Sequence, residues 1–285
     1  MTPFAFVFFA LILTIANRLY SKYALFKVDG YALALLSNII GIFLILPFAY
    51  PQLPLLFEMP LSLMMLIGLS GVLWTYVAWA GNLSIAQNNF SFKEIIRQTR
   101  IIWVVLAGIF ILGEKLQLTD LIGVTLIVAS VYIISFRDTS FREHISSKPI
   151  LLAWSVALVA AAITLLEKVI LNSTTVLVYA FLAYLLPALF LSLFLNRERL
   201  VHVRTLFHAH YMKMLIVSIL MASGYYAILS AYQLLPISIA YPMIQSSTAI
   251  GVLIGTFLFE ENKDWRRKLF AACISVAGVI VIKLF

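Results

Sequence analysis

The sequence predicts an all-α, polytopic membrane protein with ten transmembrane helices, arranged as two inverted five-helix repeats. Three observations lead there: an apolar composition, ten apolar runs of spanning length, and a repeat of scarce residue types across the midpoint. Of 285 residues, 63 % are apolar and 11 % charged, and mean hydropathy is +1.04. An average soluble chain has about 45–50 % and about 25 %. A globule of this size cannot hide so many apolar side chains and still present water with a polar surface, so the bulk solvent is lipid. That excludes a disordered chain, a coiled coil and a secreted disulfide scaffold. Cys273 is the only cysteine, so no intrachain disulfide exists. The net charge of +8 comes from basic residues lying between apolar runs. That placement is a topology signal at a membrane surface, not a nucleic-acid footprint.

Residues 1–16 have no Lys or Arg ahead of their apolar run and no small-x-small pattern at its end. They read as a retained first helix rather than a signal peptide. Windows of about 20 residues extend that span to 3–21. They place the others at 30–49, 61–84, 91–112, 118–136, 149–168, 174–195, 212–233, 236–259 and 268–284. The runs are long and continuous, unlike the alternating strands of a membrane barrel. The longest polar stretches, 137–148 and 196–213, read as connectors, and the first is the natural seam of the chain. What remains between the spans leaves no room for a soluble domain. Pro47, Pro187 and Pro242 fall in or near helix ends, where they break or kink a helix. Gly68, Gly71, Gly81, Gly108, Gly123, Gly251, Gly255 and Gly278 read as points of close helix approach.

Sliding the second half over the first by 147 pairs Ser91 with Ser238, Gln98 with Gln245, Gly108 with Gly255, Phe110 with Phe257 and Glu114 with Glu261. An offset of 146 pairs Pro3 with Pro149, Ala16 with Ala162 and Lys22 with Lys168. Matched Gln, Gly and Glu carry weight because those types are scarce here. The expected units are 1–138 and 139–285. Five helices per unit is an odd number, so the two copies have opposite orientations in the membrane. Inverted repeats of this kind are a transporter architecture, with substrate bound near the midplane between the halves.

The stretch Gly108-Ile-Phe-Ile-Leu-Gly-Glu114, followed by Gly123 in the next helix, resembles the end of the fourth helix in EamA-type domains. Lys22 and Lys168, near the ends of the first helix of each copy, also fit that pattern. The chain as a whole resembles the drug/metabolite transporter superfamily. Two departures stand out: Phe259-Glu260-Glu261 replaces Leu-Gly-Glu in the second copy, and Lys93, Arg97 and Arg100 replace mostly apolar residues in the fourth helix. The resemblance implies a secondary transporter or exporter of a small metabolite, integral and multi-pass in a cell membrane, expected to be a bacterial inner membrane. It makes Glu114 and Glu261 helix-end residues of a motif rather than ligands.

Basic residues such as Lys27, Arg137, Arg142, Arg197, Arg199, Arg266 and Arg267 follow odd-numbered spans. Only Lys115, Lys168 and Lys283 follow even ones or lie in the tail. The positive-inside rule then puts both termini outside, whereas the superfamily is associated with termini inside.

In the fourth span, Lys93, Arg97 and Arg100 form one helical stripe, and Glu94 sits within pairing reach of Arg97. A charge at the centre of a spanning helix costs roughly 2.5–3.5 kcal/mol on insertion scales, so such residues need a wet cavity or a partner. Arg97 and Arg100 are therefore candidates for gripping a carboxylate or phosphate by the planar guanidinium fork. The competing reading has them snorkelling to the interface. Glu94 reads as the only carboxylate well inside a span. It is the candidate coupling residue with protons as the candidate ion, or else the structural partner of Arg97. Gln98, Trp74, Tyr225, Tyr241 and Gln245 complete the expected substrate site. Repeat symmetry sets Tyr241 opposite Glu94 and Gln245 opposite Gln98.

His202, His208 and His210 share the connector at 196–213 and read as part of a solvated basic loop. No phosphate-binding Gly loop followed by Lys-Ser/Thr occurs in the sequence. The expectation is a non-enzyme with no cofactor, no metal and no catalytic residue, whose partners are a small-molecule substrate and the lipid bilayer, not nucleic acid. It would act as a monomer or homodimer. A membrane-embedded enzyme or a non-transporting accessory subunit is the alternative.

Overall fold

Asp29 shows how the chain starts a helix in an apolar setting: its carboxylate accepts the Ala32 N–H at 2.8 Å and caps α2 (Gly30–Ala49). The computed structural model describes residues 2–24, 28–87, 98–135, 148–258 and 265–284. Before α2 comes α1 (Pro3–Ala24), with Pro3 at its first position. Pro47 sits in the last turn of α2, and Pro51 and Pro54 follow in a 3₁₀ helix, Tyr50–Glu58. The remaining helices are α3 (Leu61–Gln87), α4 (Arg100–Phe110), α5 (Leu118–Ser135), α6 (Lys148–Leu171), α7 (Val176–Leu193), α8 (Arg197–Leu234), α9 (Ile237–Leu258) and α10 (Trp265–Leu284). No strand occurs among the described residues.

Seven of these helices are long and apolar enough to cross a membrane by length and composition: α1, α2 with its 3₁₀ extension, α3 and α6 to α9. The helices α4 and α5 are apolar but shorter, and α10 opens with Arg266, Arg267 and Lys268. Large apolar side chains such as Phe43, Phe48, Phe110 and Leu193 are exposed on the outside of the bundle. Together these features make a polytopic, all-helical membrane protein.

Packing partners come in pairs that exchange the two halves of the chain. Helix α1 packs on α8, and α6 packs on α3. Helix α2 packs on α8, and α7 packs on α3. Helix α1 packs on α9, and α6 packs on α4. Three further pairings, α2 with α7, α4 with α9 and α5 with α10, map onto themselves under the same exchange. The α5–α10 contact is close in backbone terms. A Cβ on Gly123 would lie 2.7 Å from the Gly278 carbonyl oxygen, and one on Gly278 would lie 2.7 Å from that of Gly123. Only residues without a side chain permit that approach. Gly68, by contrast, faces open space and brings no helix closer.

The segment 196–213, expected as a loop, is helical. Asn196 accepts the Arg199 N–H at 2.8 Å, and one helix then runs from Arg197 to Leu234, with a break at His210 (φ −139°, ψ 26°). A hydropathy window averages this stretch to polar. Its helical face is not: Leu206 and Val203 join Ala24, Ala32, Leu36, Met214 and Val217 in a small core. His202 and His208 are exposed on the other side. No cluster of potential metal ligands occurs among the described residues.

The junction of α8 and α9 explains the Gly-Glu motif. Gly113, at φ +68°, ends the turn after α4 in the left-handed region that glycine adopts freely. Glu114 then accepts the N–H of Ile237 (2.6 Å) and Ser238 (2.9 Å) and the Ser238 hydroxyl. Lys168 donates from Nζ to the carbonyls of Tyr232 (2.6 Å) and Leu235 (2.9 Å). An anion thus meets a helix N-terminus and a cation a helix C-terminus, the favourable sense for both dipoles. Glu114 is therefore a ligand after all, of a helix in the other half. Glu261 lies outside the described residues.

Candidate functional site

Helix α6 carries the chemistry. Ala160, Ala161 and Ala162 keep it slim, and Thr164 and Glu167, three residues apart, share a face. Glu167 is 2 % exposed. A buried carboxylate persists only if its charge and lone pairs are answered. Its Oε1 accepts the Tyr225 hydroxyl at 2.7 Å and the Trp74 indole N–H at 3.3 Å, from α8 and α3. Arg100, the first residue of α4, lies close enough to act on it by charge. Arg100 donates from Nη2 to the Thr164 hydroxyl, which itself donates to the Ala160 carbonyl at 3.0 Å. The guanidinium lies 5.1 Å above the Tyr241 ring, and its Nε has no hydrogen-bond partner among the described residues. Tyr241 in turn stacks at a tilt on Tyr232, 6.5 Å between centroids.

The aromatic side chains lock one another edge to face. Tyr225 meets Trp74 at 6.5 Å and Tyr184 at 5.7 Å, with interplanar angles of 88° and 87°. Tyr179 donates to the Ser70 hydroxyl at 3.3 Å. A cavity of about 310 Å³ opens beside this cluster. Its walls come from α1, α2 and α3 of the first half and α7 and α8 of the second. Thr14, Asn17, Asn38, Trp74, Tyr184 and Tyr225 supply its polar and aromatic surface, and no charged side chain lines it among the described residues. Pro187 of α7 also lies on the wall. Asn38 spends one amide hydrogen on the Ala34 carbonyl at 2.8 Å, and Asn17 Oδ1 accepts from Ser21 at 3.3 Å. The remaining polar capacity of these amides is on hand for a guest.

Of the residues expected in the site, Trp74 and Tyr225 stand on the cavity wall. Arg100 and Tyr241 stack on each other, linked to the wall through Glu167. Gln98 is buried and Gln245 half-buried, and neither lines the cavity. Arg97, Glu94 and Lys93 lie outside the described residues. Tyr76 bonds Ser155 at 2.7 Å, and Trp79 and Tyr226 are exposed. The reading of Glu94 as the only carboxylate inside a span needs correction, because Glu167 is inside α6. The expected span ended at 168, on the polar Glu-Lys pair, but the helix runs on through Val169, Ile170 and Leu171. Those three apolar residues were the signal for it. Asn17 and Asn38 were also missed, since a lone amide in an apolar run points nowhere until its neighbours are known.

Residues 147–284 match the EamA-like transporter family. No curated protein matches the chain by sequence. Among solved structures, 28 chains match. One, described only as "Crystal structure of protein", superposes with a TM-score of 0.70 at 14 % identity, covering 99 % of this chain and 96 % of its own. At that identity it shows a shared fold along nearly the whole length and nothing about a substrate. The family match covers residues 147–284, and the structural match carries the fold of the chain.

Proposed function

We propose that the protein, whose residues 147–284 match the EamA-like transporter family, is a secondary active transporter or exporter of a small metabolite, working by alternating access between two inverted five-helix units. The observation that carries this reading is the cavity of about 310 Å³ walled by helices of both halves. A site shared between two repeats can be exposed to either side by rocking one against the other. The exchange-related packing pairs support the two-unit reading.

The wall chemistry points to the class of substrate. Trp74, Tyr184 and Tyr225 offer flat apolar faces, while Asn17 and Asn38 offer neutral hydrogen bonds. That combination suits an amphipathic metabolite with an aromatic or apolar body and a polar head. An acidic or zwitterionic head is proposed on one further detail: Arg100 stands behind the Trp74–Tyr225 wall, beside Glu167, and keeps its Nε without a hydrogen-bond partner among the described residues. Arg97 is proposed as its companion and Glu94 as a modulating carboxylate.

A stabilisation screen of the purified protein against a metabolite library tests this. A metabolite bound only by the folded state raises its stability by about 2.7 kcal/mol at a hundredfold excess over Kd. The hit must then accumulate in proteoliposomes under an imposed gradient and lose its effect in Trp74→Ala. Conversion of the hit to a product by purified protein, without gradient-dependent uptake, would favour an enzyme instead.

A further inference from the structure

The buried carboxylate on α6 does more than fill space. Oε1 of Glu167 holds two residues of the cavity wall at once, Tyr225 at 2.7 Å and Trp74 at 3.3 Å. Both of these hydrogen bonds fall on Oε1. Among the described residues, four elements pack against α6, namely α3, α4, α7 and α8. Facing Glu167, α4 presents Arg100, α7 presents Tyr179, and α8 presents Tyr225 and Tyr232. Helix α3 contributes Trp74, which does not titrate. Lys168, the next residue, is turned away and held on the carbonyls of Tyr232 and Leu235. Arg100 is thus the one cation on this carboxylate among the described residues.

We propose that Glu167 is a proton site: a proton taken from water onto Oε2 releases the aromatic wall of the cavity and frees the charge of Arg100. In the ionised state both hydrogen bonds to Oε1 are charge-assisted, the Tyr225 bond at 2.7 Å being the stronger, and Arg100 is neutralised. With the proton on, the carboxyl is a weaker acceptor, so Trp74 and Tyr225 are free to turn. Arg100 is then an unbalanced cation beside the site. Proton binding and the binding of an acidic group near Arg100 favour each other, and that coupling is reciprocal. No bond other than the O–H forms or breaks, and the proton returns to water when the carboxyl ionises. The use of this coupling in transport rests on the transporter reading above; the titration itself does not.

The test is a pH titration of the purified protein in detergent, read by the infrared band of a protonating carboxyl and by tryptophan fluorescence. The wild type is expected to show a carboxyl band and a fluorescence step that share one midpoint. Glu167→Gln should lose both. Trp74→Phe should keep the band and lose the step. Because Glu167→Gln leaves Arg100 unbalanced and could fail to fold, the pair Arg100→Gln/Glu167→Gln, which removes both charges, is measured beside it and should also lose both signals. A wild type with neither signal, or either folded variant retaining both, overturns the proposal. Uptake of the metabolite found by stabilisation is read separately in proteoliposomes. Signals lost in the variants with no uptake by wild type support the proton site and sink the transporter reading. Signals retained in the variants with uptake intact sink the proton site alone.

Discussion

The carboxylate of Glu114, at the end of the fourth helix, accepts the backbone N–H of Ser238 at 2.9 Å and so caps α9 across the two halves of the chain. Gly108 makes room for it: a Cβ there would lie 2.8 Å from Glu114 Oε2 and 3.2 Å from Ser238 Cβ. Together with Lys168 on the end of α8, this fixes the elbow from which α9 carries Tyr241 to Arg100.

Removal of the cap should cost stability. Glu114→Ala is expected to destabilise by about 1–2 kcal/mol, the range of a lost helix cap, and Glu114→Gln by less, because one carbonyl oxygen remains. Gly108→Ala should resemble Glu114→Ala, since the methyl displaces the carboxylate. Thermal unfolding in detergent measures all three. Wild-type stability in Gly108→Ala would show that the carboxylate is not needed at that spot.

Arg100 and Glu167 should behave as a unit. Arg100→Gln alone leaves a buried carboxylate uncompensated and is expected to cost about 3–5 kcal/mol. The double variant Arg100→Gln/Glu167→Gln should cost less than the sum of the two single changes. A double-mutant cycle in thermal or denaturant unfolding checks it. Strict additivity would mean that the two charges do not interact.

The fourth-helix arginines carry the substrate prediction. Arg100→Lys loses the planar stack on Tyr241, a cation–π contact of about 0.5–2 kcal/mol that holds the guanidinium in place, and should weaken binding of an acidic metabolite. If Arg97 also grips an acidic group in a desolvated site, Arg97→Lys should cost about 2–5 kcal/mol of binding. Affinity is read by stabilisation with the screened metabolite at matched expression. Unchanged affinity in both variants would remove the anion site and favour side chains that simply reach the interface.

Filling the cavity should separate binding from folding. Ala78 lies on the wall of a space of about 310 Å³. Ala78→Phe is expected to abolish stabilisation by the metabolite and gradient-driven uptake, with melting changed by less than about 1–3 kcal/mol, the usual range for overpacking. Retained binding would place the substrate elsewhere.

Orientation follows from charge. With Cys273 replaced, a cysteine at Pro54 should react with an impermeant reagent in intact cells, and one at Ser140 should not. The opposite pattern would put both termini inside.

The membrane environment and the all-helical, polytopic fold were legible in the sequence. Each is carried by residues close together along the chain. Hydropathy sums over neighbours, so a window of about 20 residues registers lipid exposure whatever the helix packs against. The same summing hid the helical face of Leu206 inside a polar average and closed the sixth span at Lys168. Glu167 acquires its role only from Tyr225, 58 residues away, and Trp74, 93 residues away. The cavity likewise needs Asn17, Asn38 and Tyr184 from three separate helices. A carboxylate at the end of an apolar run reads the same whether it faces water or two aromatic donors. Which one it faces is decided by helix packing, because the free energy of a buried charge depends on groups that the chain brings near only when it folds.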